Sequence, residues 1–314
     1  MTGQTTYLYL LQPEDLAREM GLALAKLLPQ LQADDFVPRM SGRAGLDPVA
    51  VRRILKGAGR RYPFRIFAHA NLKGGIGKTT SALALATRAA SLGYRTVILD
   101  LDPQASASLA LGVEAGEEDA IFYDLWSKPA DHLPGALYEI QPGLLLLPSS
   151  LENSLLDSAL MHPTLQKNAV RDVCAVLRQQ DVDLVVLDCP PSLGAATISA
   201  LSAAHRLIIP VGTDAFSFKG LALTLSELAA IAETFHLTPP ERTVLLTRYD
   251  QRETIARQAW ERLQRDHPAI LAPRPIRTSS LFGKALEDRT TLFAGYRQHP
   301  ARLDYEVVIR TLLE

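Results

Sequence analysis

Short apolar runs alternate with longer stretches of helical periodicity from about residue 65 to the end of the chain. Strands are predicted at 65–70, 96–102, 144–148, 183–188, 206–211 and 242–247, with helices at 79–91 and 219–235. Several runs are apolar at successive positions, which is typical of strands buried on both faces. The alternation predicts an α/β fold: a mostly parallel, twisted sheet with helices on both faces, joined by right-handed crossovers.

The first 64 residues have a different pattern, so the chain is divided into a small helical N-terminal extension, 1–64, and an α/β domain, 65–314. Apolar spacing predicts one helix over 13–31. Asp47 and Pro48 predict the start of a second helix, as N-cap and first helical residue, with Gly57 or Gly59 ending it. Two short helices around a turn, the second one basic, are compatible with a helix-turn-helix and equally with a helical dimerisation arm.

Composition excludes several classes of protein. The chain has 314 residues, 47% hydrophobic and 21% charged, which is typical of a globular protein and excludes a mainly disordered one. No run approaches the roughly 20 uninterrupted apolar residues of a membrane helix, and the N-terminus lacks the features of a secretion signal. Two cysteines cannot form a disulfide framework, which favours a cytoplasmic location.

Charge is unevenly distributed, although the net charge is only −1. Residues 43–65 contain seven cations and one acid, and residues 274–302 contain six cations and two acids. The rest of the chain therefore carries a net charge of −11. Such clustering is compatible with a nucleic-acid footprint and also with ordinary solvated basic faces.

A glycine-rich loop with the sequence NLKGGIGKTT follows the first predicted strand, at 71–80. Glycines allow backbone N–H groups to close around an anion, and the helix that begins there directs its positive end at phosphates. Lys78 can reach the β and γ oxygens, and the Thr79 hydroxyl suits Mg²⁺. The predicted nucleotide-binding residues are Lys73, Gly74, Gly75, Ile76, Gly77, Lys78, Thr79 and Thr80.

The loop departs from the ordinary Walker A pattern in having Leu72 at the first glycine position and an additional lysine, Lys73. This form resembles the deviant Walker A motif of the ParA/MinD family of P-loop ATPases. Three further segments are similar to motifs of that family: TVILDLDPQ at 96–104, LVVLDCPPSLG at 184–194 and TRYD at 247–250. Residues 276–302 are similar to the C-terminal segment of its partition branch.

The resemblance implies an ATPase that uses ATP and Mg²⁺, with a P-loop NTPase fold over 65–314. It implies catalytic roles for Lys73, which reaches the nucleotide of a partner subunit, for Lys78, and for Asp102, which positions the attacking water. Asp188, at the end of a strand, is expected to hold Mg²⁺ through water together with Thr79. Asp100 is expected to support the metal shell or the neighbouring loop.

The branch of the family determines the expected partners. The acidic residues of the C-terminal helix argue against the MinD type of membrane anchor, so no membrane partner is expected. Cys174 and Cys189 are interpreted as packing residues, which argues against the iron-protein branch. The partition branch implies an ATP-dependent homodimer at the nucleoid, a ParB-like centromere-binding partner, and nonspecific DNA binding. The candidate DNA-binding residues are Lys219, Arg248, Arg277, Lys284, Arg289, Arg297 and Arg302.

Two other functions remain compatible with the sequence: positioning of a protein cargo by the same ATPase, and autorepression by DNA binding of residues 1–64. The sequence does not identify the replicon or the cargo. The adenine-contacting residues are also open, with the loops at 247–250 and 273–277 as candidates.

Overall fold

The computed structural model describes residues 9–38, 44–293 and 299–314. Its N-terminal elements are short: α1 (Pro13–Glu19), α2 (Leu24–Leu27), β1 (Phe36–Val37), β2 (Gly45–Leu46) and α3 (Pro48–Gly57), with 3₁₀ turns at Leu28–Gln30 and Ala33–Asp35. The single helix predicted over 13–31 is wrong. Gly21 adopts a φ of +64° just after α1, and that left-handed conformation interrupts the helix.

The second N-terminal helix is confirmed. The Asp47 carboxylate accepts a hydrogen bond from the Val49 amide, and Pro48 is the first residue of α3. The cap satisfies an amide that the helix itself leaves unpaired, so the start of α3 is determined locally.

The remaining elements alternate along the chain as predicted. The strands are β3 (Arg65–His69), β4 (Thr96–Asp100), β5 (Tyr138–Gln141), β6 (Leu144–Leu147), β7 (Leu184–Asp188), β8 (Arg206–Val211) and β9 (Glu241–Leu246). The helices are α4 (Lys78–Ser91), α5 (Ser106–Ala110), α6 (Phe122–Leu125), α7 (Pro129–Ala136), α8 (Leu156–Ala159), α9 (Pro163–Gln179), α10 (Ala195–Ala203), α11 (Ala215–Thr234), α12 (Thr254–Asp266), α13 (Leu281–Glu287) and α14 (Pro300–Leu313), with a 3₁₀ helix at Leu151–Leu155.

Strands β3 to β9 form one seven-stranded sheet in the order β5-β6-β4-β7-β3-β8-β9. Every neighbouring pair is parallel except β5 with β6, so the predicted mostly parallel sheet is confirmed. The antiparallel edge strand β5 was not predicted. Because the parallel strands all end at one edge, the loops after β3, β4, β7, β8 and β9 converge there.

The described part of the N-terminal extension packs on the sheet domain and shares its hydrophobic core. Tyr9, Leu16, Leu46 and Val51 belong to the hydrophobic cluster that also contains side chains of α4 and α14. Helix α3 is further anchored by Arg52, whose guanidinium donates to both oxygens of Asp183.

A buried polar cluster joins the extension to both of those helices. The Tyr9 hydroxyl accepts hydrogen bonds from Arg88 in α4 and from Arg302 in α14, at 2.9 and 3.0 Å. Glu19 of α1 pairs with Arg60 and lies 3.7 Å from Arg88. Hydrogen bonding of this kind offsets the cost of removing these charges from water.

Among the described residues, one helix, α11, is long and apolar enough to cross a membrane by length and composition alone. In this fold it connects β8 to β9, and Leu221, Leu228 and Ile231 pack into the core. A core helix passes the same test of length and composition.

Candidate functional site

A cavity of about 490 Å³ lies at the edge of the sheet where the parallel strands end. It is lined by the loop Gly74–Thr80, by Asp102 after β4, and by Thr247 and Arg248 after β9. This position, outside the carboxyl ends of parallel strands, is where α/β folds of this type bind ligands.

The glycine-rich loop has the backbone conformation that a phosphate cradle requires. Gly75 and Gly77 have φ angles of +68° and +91°, which other residues rarely adopt. Thr247 donates a hydrogen bond to the Ile76 carbonyl at 2.9 Å and fixes the loop to the end of β9. Lys78 begins α4, and its ammonium donates to the Lys73 carbonyl at 3.1 Å. Burial lowers the pKa of Lys78, while Asp188 and Asp102 act to raise it.

Lys73 points out of this cradle. Its ammonium forms an ion pair with Asp214 at 2.6 Å and a hydrogen bond to the Ser217 hydroxyl at 3.0 Å. Asp214 is the N-cap of α11, and the Lys73 contact is the main cause of its lowered pKa. That cap also explains why α11 begins four residues before the predicted start at 219.

Asp188 has the properties of a metal ligand. Its side chain is fully buried at the end of β7, and neither oxygen has a hydrogen-bond partner among the described residues. Burial and the neighbouring Asp100 raise its pKa well above the ordinary value, and the nearby Thr79 and Lys78 do not compensate. Since a buried carboxylate without partners is costly, a cation at this position would satisfy it. Thr79 and Asp188 therefore fit Mg²⁺.

Asp100 and Asp102 have different surroundings. Both oxygens of Asp100 accept hydrogen bonds from protein groups: Oδ2 from the Ser108 amide and hydroxyl, and Oδ1 from the Asp102 amide. Asp100 was expected to support either the metal shell or the neighbouring loop, and these hydrogen bonds fit support of the loop. Burial raises the pKa of Asp100 to about 6, against the effect of the Ser108 bonds. Asp102 lines the cavity, and its Oδ1 accepts from the Gln104 amide at 3.0 Å.

Part of the cavity lining is apolar and suits a nucleobase. It includes Ile276, Phe282 and Leu286, and Arg248 also lines the cavity. Thr247, Arg248 and Ile276 belong to the two loops named as candidates for adenine contact, whereas the contribution of α13 was not predicted.

Comparison with known proteins identifies the family. The AAA domain family matches residues 64–238. The chromosome-partitioning ATPase Soj of Thermus thermophilus is 33% identical to this chain over 80% of its length and 98% of the relative's. The chromosome partitioning protein ParA of Caulobacter vibrioides is 30% identical over 71% of this chain and 86% of the relative. The chain belongs to the ParA-type family of P-loop ATPases.

Other comparisons agree with this assignment. The cell division protein PomZ of Myxococcus xanthus is 30% identical over 77% of this chain and 76% of the relative. The crystal structure of cobyrinic acid a,c-diamide synthase from Mycobacterium smegmatis with a bound ATP analogue and magnesium is similar over 80% of this chain and 94% of the synthase chain. The identity is 25% and the TM-score is 0.68. Apo McdA of Cyanothece has the same fold, with 22% identity, a TM-score of 0.70, and coverage of 79% and 99%. The family assignment confirms ATP and Mg²⁺ as the cofactors of this ParA-type chain.

The predicted DNA-binding residues of this ParA-type protein do not form a uniform group. Lys219, Arg248 and Lys284 are exposed. Arg277 is paired with Asp304 at 2.7 Å, and Arg289 with Glu114 at 2.9 Å. Arg297 lies outside the described residues.

The assignment of Arg302 to the DNA-binding set is wrong for this structure. The residue is only 5% exposed, because its guanidinium lies between Tyr9 and Glu306. A DNA phosphate cannot reach it there.

Several residues of the site were missed by sequence reasoning. Asp214 and Ser217 lie in a segment without a recognised motif, and Phe282 lies in the segment 276–302 but was not assigned to the site. Contacts between distant parts of the chain bring the three residues to the cavity or to Lys73. The one local feature that could have indicated Asp214 is that an aspartate there precedes an apolar helix, which is typical of an N-cap. Cys174 and Cys189 are buried, as their interpretation as packing residues requires, and burial raises the pKa of both thiols.

Proposed function

We propose that this chain is an ATP-dependent DNA partition ATPase that forms a homodimer on ATP binding, binds DNA nonspecifically and is released when a ParB-like partner stimulates a slow hydrolysis. We expect it in the cytoplasm, on the nucleoid while ATP is bound. The observation that carries the proposal is the direction of Lys73. A cation beside the phosphate loop that turns away from its own cavity supports a role toward a second subunit, which it would take after leaving Asp214.

Each residue of the site has a separate role in the proposed hydrolysis. The loop amides and Lys78 would hold the phosphates, and Thr79 with Asp188 would hold Mg²⁺, which would supply positive charge against the negative charge of the phosphate oxygens. Asp102 orients the attacking water from the side of the cavity that it lines. Lys73 leaves Asp214 and stabilises transition-state charge in the partner's site, so ATP binding and dimerisation become linked equilibria.

DNA binding of the full chain with ATP, with ADP and without nucleotide tests the proposal. We expect binding to random-sequence DNA only with ATP, with an affinity that falls steeply as salt rises because phosphates are the contacts. Lys78→Ala is expected to abolish ATP-dependent binding. Lys73→Ala is expected to bind nucleotide but to lose dimerisation and hydrolysis. ATP-dependent DNA binding by Lys78→Ala would contradict the proposed ATP-dependent switch. An unchanged ATPase rate in Lys73→Ala would contradict the proposed role of Lys73 in the partner's site.

Positioning of a protein cargo is the second candidate, because PomZ, a relative named for cell division and not for chromosome partitioning, has the same 30% identity to this chain as the Caulobacter partition protein. The two functions differ in the partner that accelerates hydrolysis. A centromere-bound protein encoded beside this chain supports partition, and acceleration by a cargo-bound protein without centromere DNA supports the alternative.

The N-terminal repressor hypothesis has less support. In α3 the two central arginines are engaged within the protein, Arg52 with Asp183 and Arg53 with Asp35. A recognition helix needs such side chains free for base edges.

A further inference from the structure

Two polar residues without a recognised motif, Ser149 and Asn153, lie directly beneath the loop that carries Asp102. They follow β6 and are 2% and 3% exposed. Their side chains therefore meet protein groups rather than water, and each hydrogen bond that they make acts on a defined neighbour.

Ser149 bonds to the backbone of Asp102 itself. Its hydroxyl donates to the backbone carbonyl of Asp102 at 2.7 Å and accepts from the side-chain amide of Asn153 at 2.7 Å. A hydroxyl has one proton, and because Ser149 accepts the bond from Asn153, that proton is available for the Asp102 carbonyl. The Asn153 carbonyl oxygen accepts from the Tyr123 amide at 3.1 Å, which fixes the orientation of the side-chain amide.

A second connection reaches Ser108 in α5, the helix that follows this loop. The Ser149 backbone amide donates to the Ser108 hydroxyl at 3.0 Å, and that hydroxyl donates to Asp100 at 2.7 Å. Ser149 thus holds the chain at residue 102 through its side chain and at residue 108 through its backbone.

The loop between these two points needs external support. Ala105 has a φ of +52°, a conformation that is unfavourable for a residue with a side chain and that persists only where the surroundings enforce it. The Asp102 carboxylate accepts a hydrogen bond from the Gln104 backbone amide, which belongs to the same loop. The orientation of the carboxylate therefore depends on the conformation of the loop.

We propose that Ser149 is a positioning residue for hydrolysis: it fixes the backbone of Asp102, and Asn153 orients its hydroxyl. This inference rests on the water-orienting role proposed for Asp102. Ser149 does not line the phosphate end of the cavity with Gly74–Thr80, so its loss affects the rate of the chemical step and leaves ATP affinity unchanged.

The test measures single-turnover ATP hydrolysis with Mg²⁺, the Kd for a fluorescent ATP analogue, and the unfolding midpoint, all on the full chain. Ser149→Ala is expected to lower the hydrolysis rate roughly 10- to 100-fold, as small misplacements of catalytic groups do, with Kd changed less than about twofold. Ser149→Cys keeps nearly the same volume but is a weak donor, and is expected to show a similar loss without a folding defect. Ser150→Ala is the matched control, since the Ser150 hydroxyl accepts only from the Glu152 amide in the next turn.

A double-mutant comparison separates positioning from a general structural effect. If Ser149 acts through Asp102, Ser149→Ala has less than about a twofold effect in an Asp102→Ala background. The inference is overturned if Ser149→Ala or Ser149→Cys hydrolyses ATP as fast as Ser150→Ala. It is also overturned if Ser149→Ala lowers the hydrolysis rate by the same factor in the wild-type and in the Asp102→Ala background. A wild-type rate in Asp102→Ala alone instead overturns the proposed role of Asp102.

Discussion

Three aspartates at the ends of β4 and β7 have the same side chain and different surroundings. Asp100 accepts bonds from Ser108 and from the Asp102 amide, Asp102 faces the cavity, and Asp188 is buried without a hydrogen-bond partner among the described residues. Environment rather than residue type therefore separates the three roles proposed for them: loop support for Asp100, orientation of water for Asp102 and metal binding for Asp188.

Asp188→Asn is expected to stabilise the nucleotide-free protein and to abolish its stabilisation by Mg-ATP. A raised folded-state pKa means that ionised Asp188 costs stability at pH 7, and that this cost disappears as pH falls below the unfolded value of about 4. The neutral amide removes the cost, so the thermal midpoint should rise by roughly 2–4 °C for each 1 kcal/mol gained. Thermal unfolding at pH 7 and pH 4, with and without Mg-ATP, measures this. A lower midpoint at pH 7 would show that the carboxylate is satisfied in the free protein.

The sequence predicts those parts of the site that depend on local chemistry. Glycines at positive φ, a lysine at the start of a helix and an aspartate at a strand end are readable from order and spacing. Asp214 and Ser149 are not readable in this way, because their roles arise from contacts with residues 141 and 47 positions away. Only the folded sheet brings those segments to the same edge.

Among the secondary-structure elements, the predictions were accurate where a run of buried residues or a capping residue defines the element. Strands β4 and β7 are buried throughout and mostly apolar, and α3 has a cap, so these elements were predicted closely. The helix over 13–31 was predicted from apolar spacing alone, and Gly21 breaks it. Strand β5 is an edge strand with mostly half-exposed residues, so its pattern lacks the continuous apolar run of the central strands.

Helix α13 is expected to supply the nucleobase contact through Phe282. This ring lines the cavity and packs edge-on against Tyr305, with centroids 6.2 Å apart. Stacking of a base on an aromatic side chain contributes about 1–3 kcal/mol, so Phe282→Ala should raise the Kd for both ATP and ADP by roughly 5- to 150-fold. The hydrolysis rate at saturating ATP should remain unchanged. Ile255→Ala, at an exposed position on α12, is the control, and equal affinities of the two variants would assign the base elsewhere.

At the scale of the whole molecule, the two basic segments are less cationic on the surface than their sequence indicates. In the first, Arg52, Arg53 and Arg60 are each paired with an acid. In the second, Arg277, Arg289 and Arg302 also bond to acids. The partners come from other parts of the chain, which is why a count by segment overestimates the positive charge available to DNA.

The same contacts predict that residues 1–64 cannot be removed without damage to the sheet domain. Their deletion would expose the cluster side chains that Tyr9, Leu16 and Val51 cover, and it would leave Arg88 without the Tyr9 hydroxyl. We expect the fragment 65–314 to aggregate or to unfold well below the full chain, measured by thermal unfolding and by size-exclusion chromatography. A separable DNA-reading module would instead leave the fragment with the stability of the full chain.

A milder variant tests the same coupling in the intact chain. Arg52→Ala leaves the buried Asp183 carboxylate without its bidentate partner, and breaking a buried pair on one side costs roughly 3–5 kcal/mol. Denaturant unfolding should therefore show a large decrease in the free energy of unfolding, whereas Arg61→Ala, at an exposed position of the same basic segment, should remain within about 0.5 kcal/mol of the parent. Equal stabilities for the two variants would mean that α3 is held by its apolar face alone.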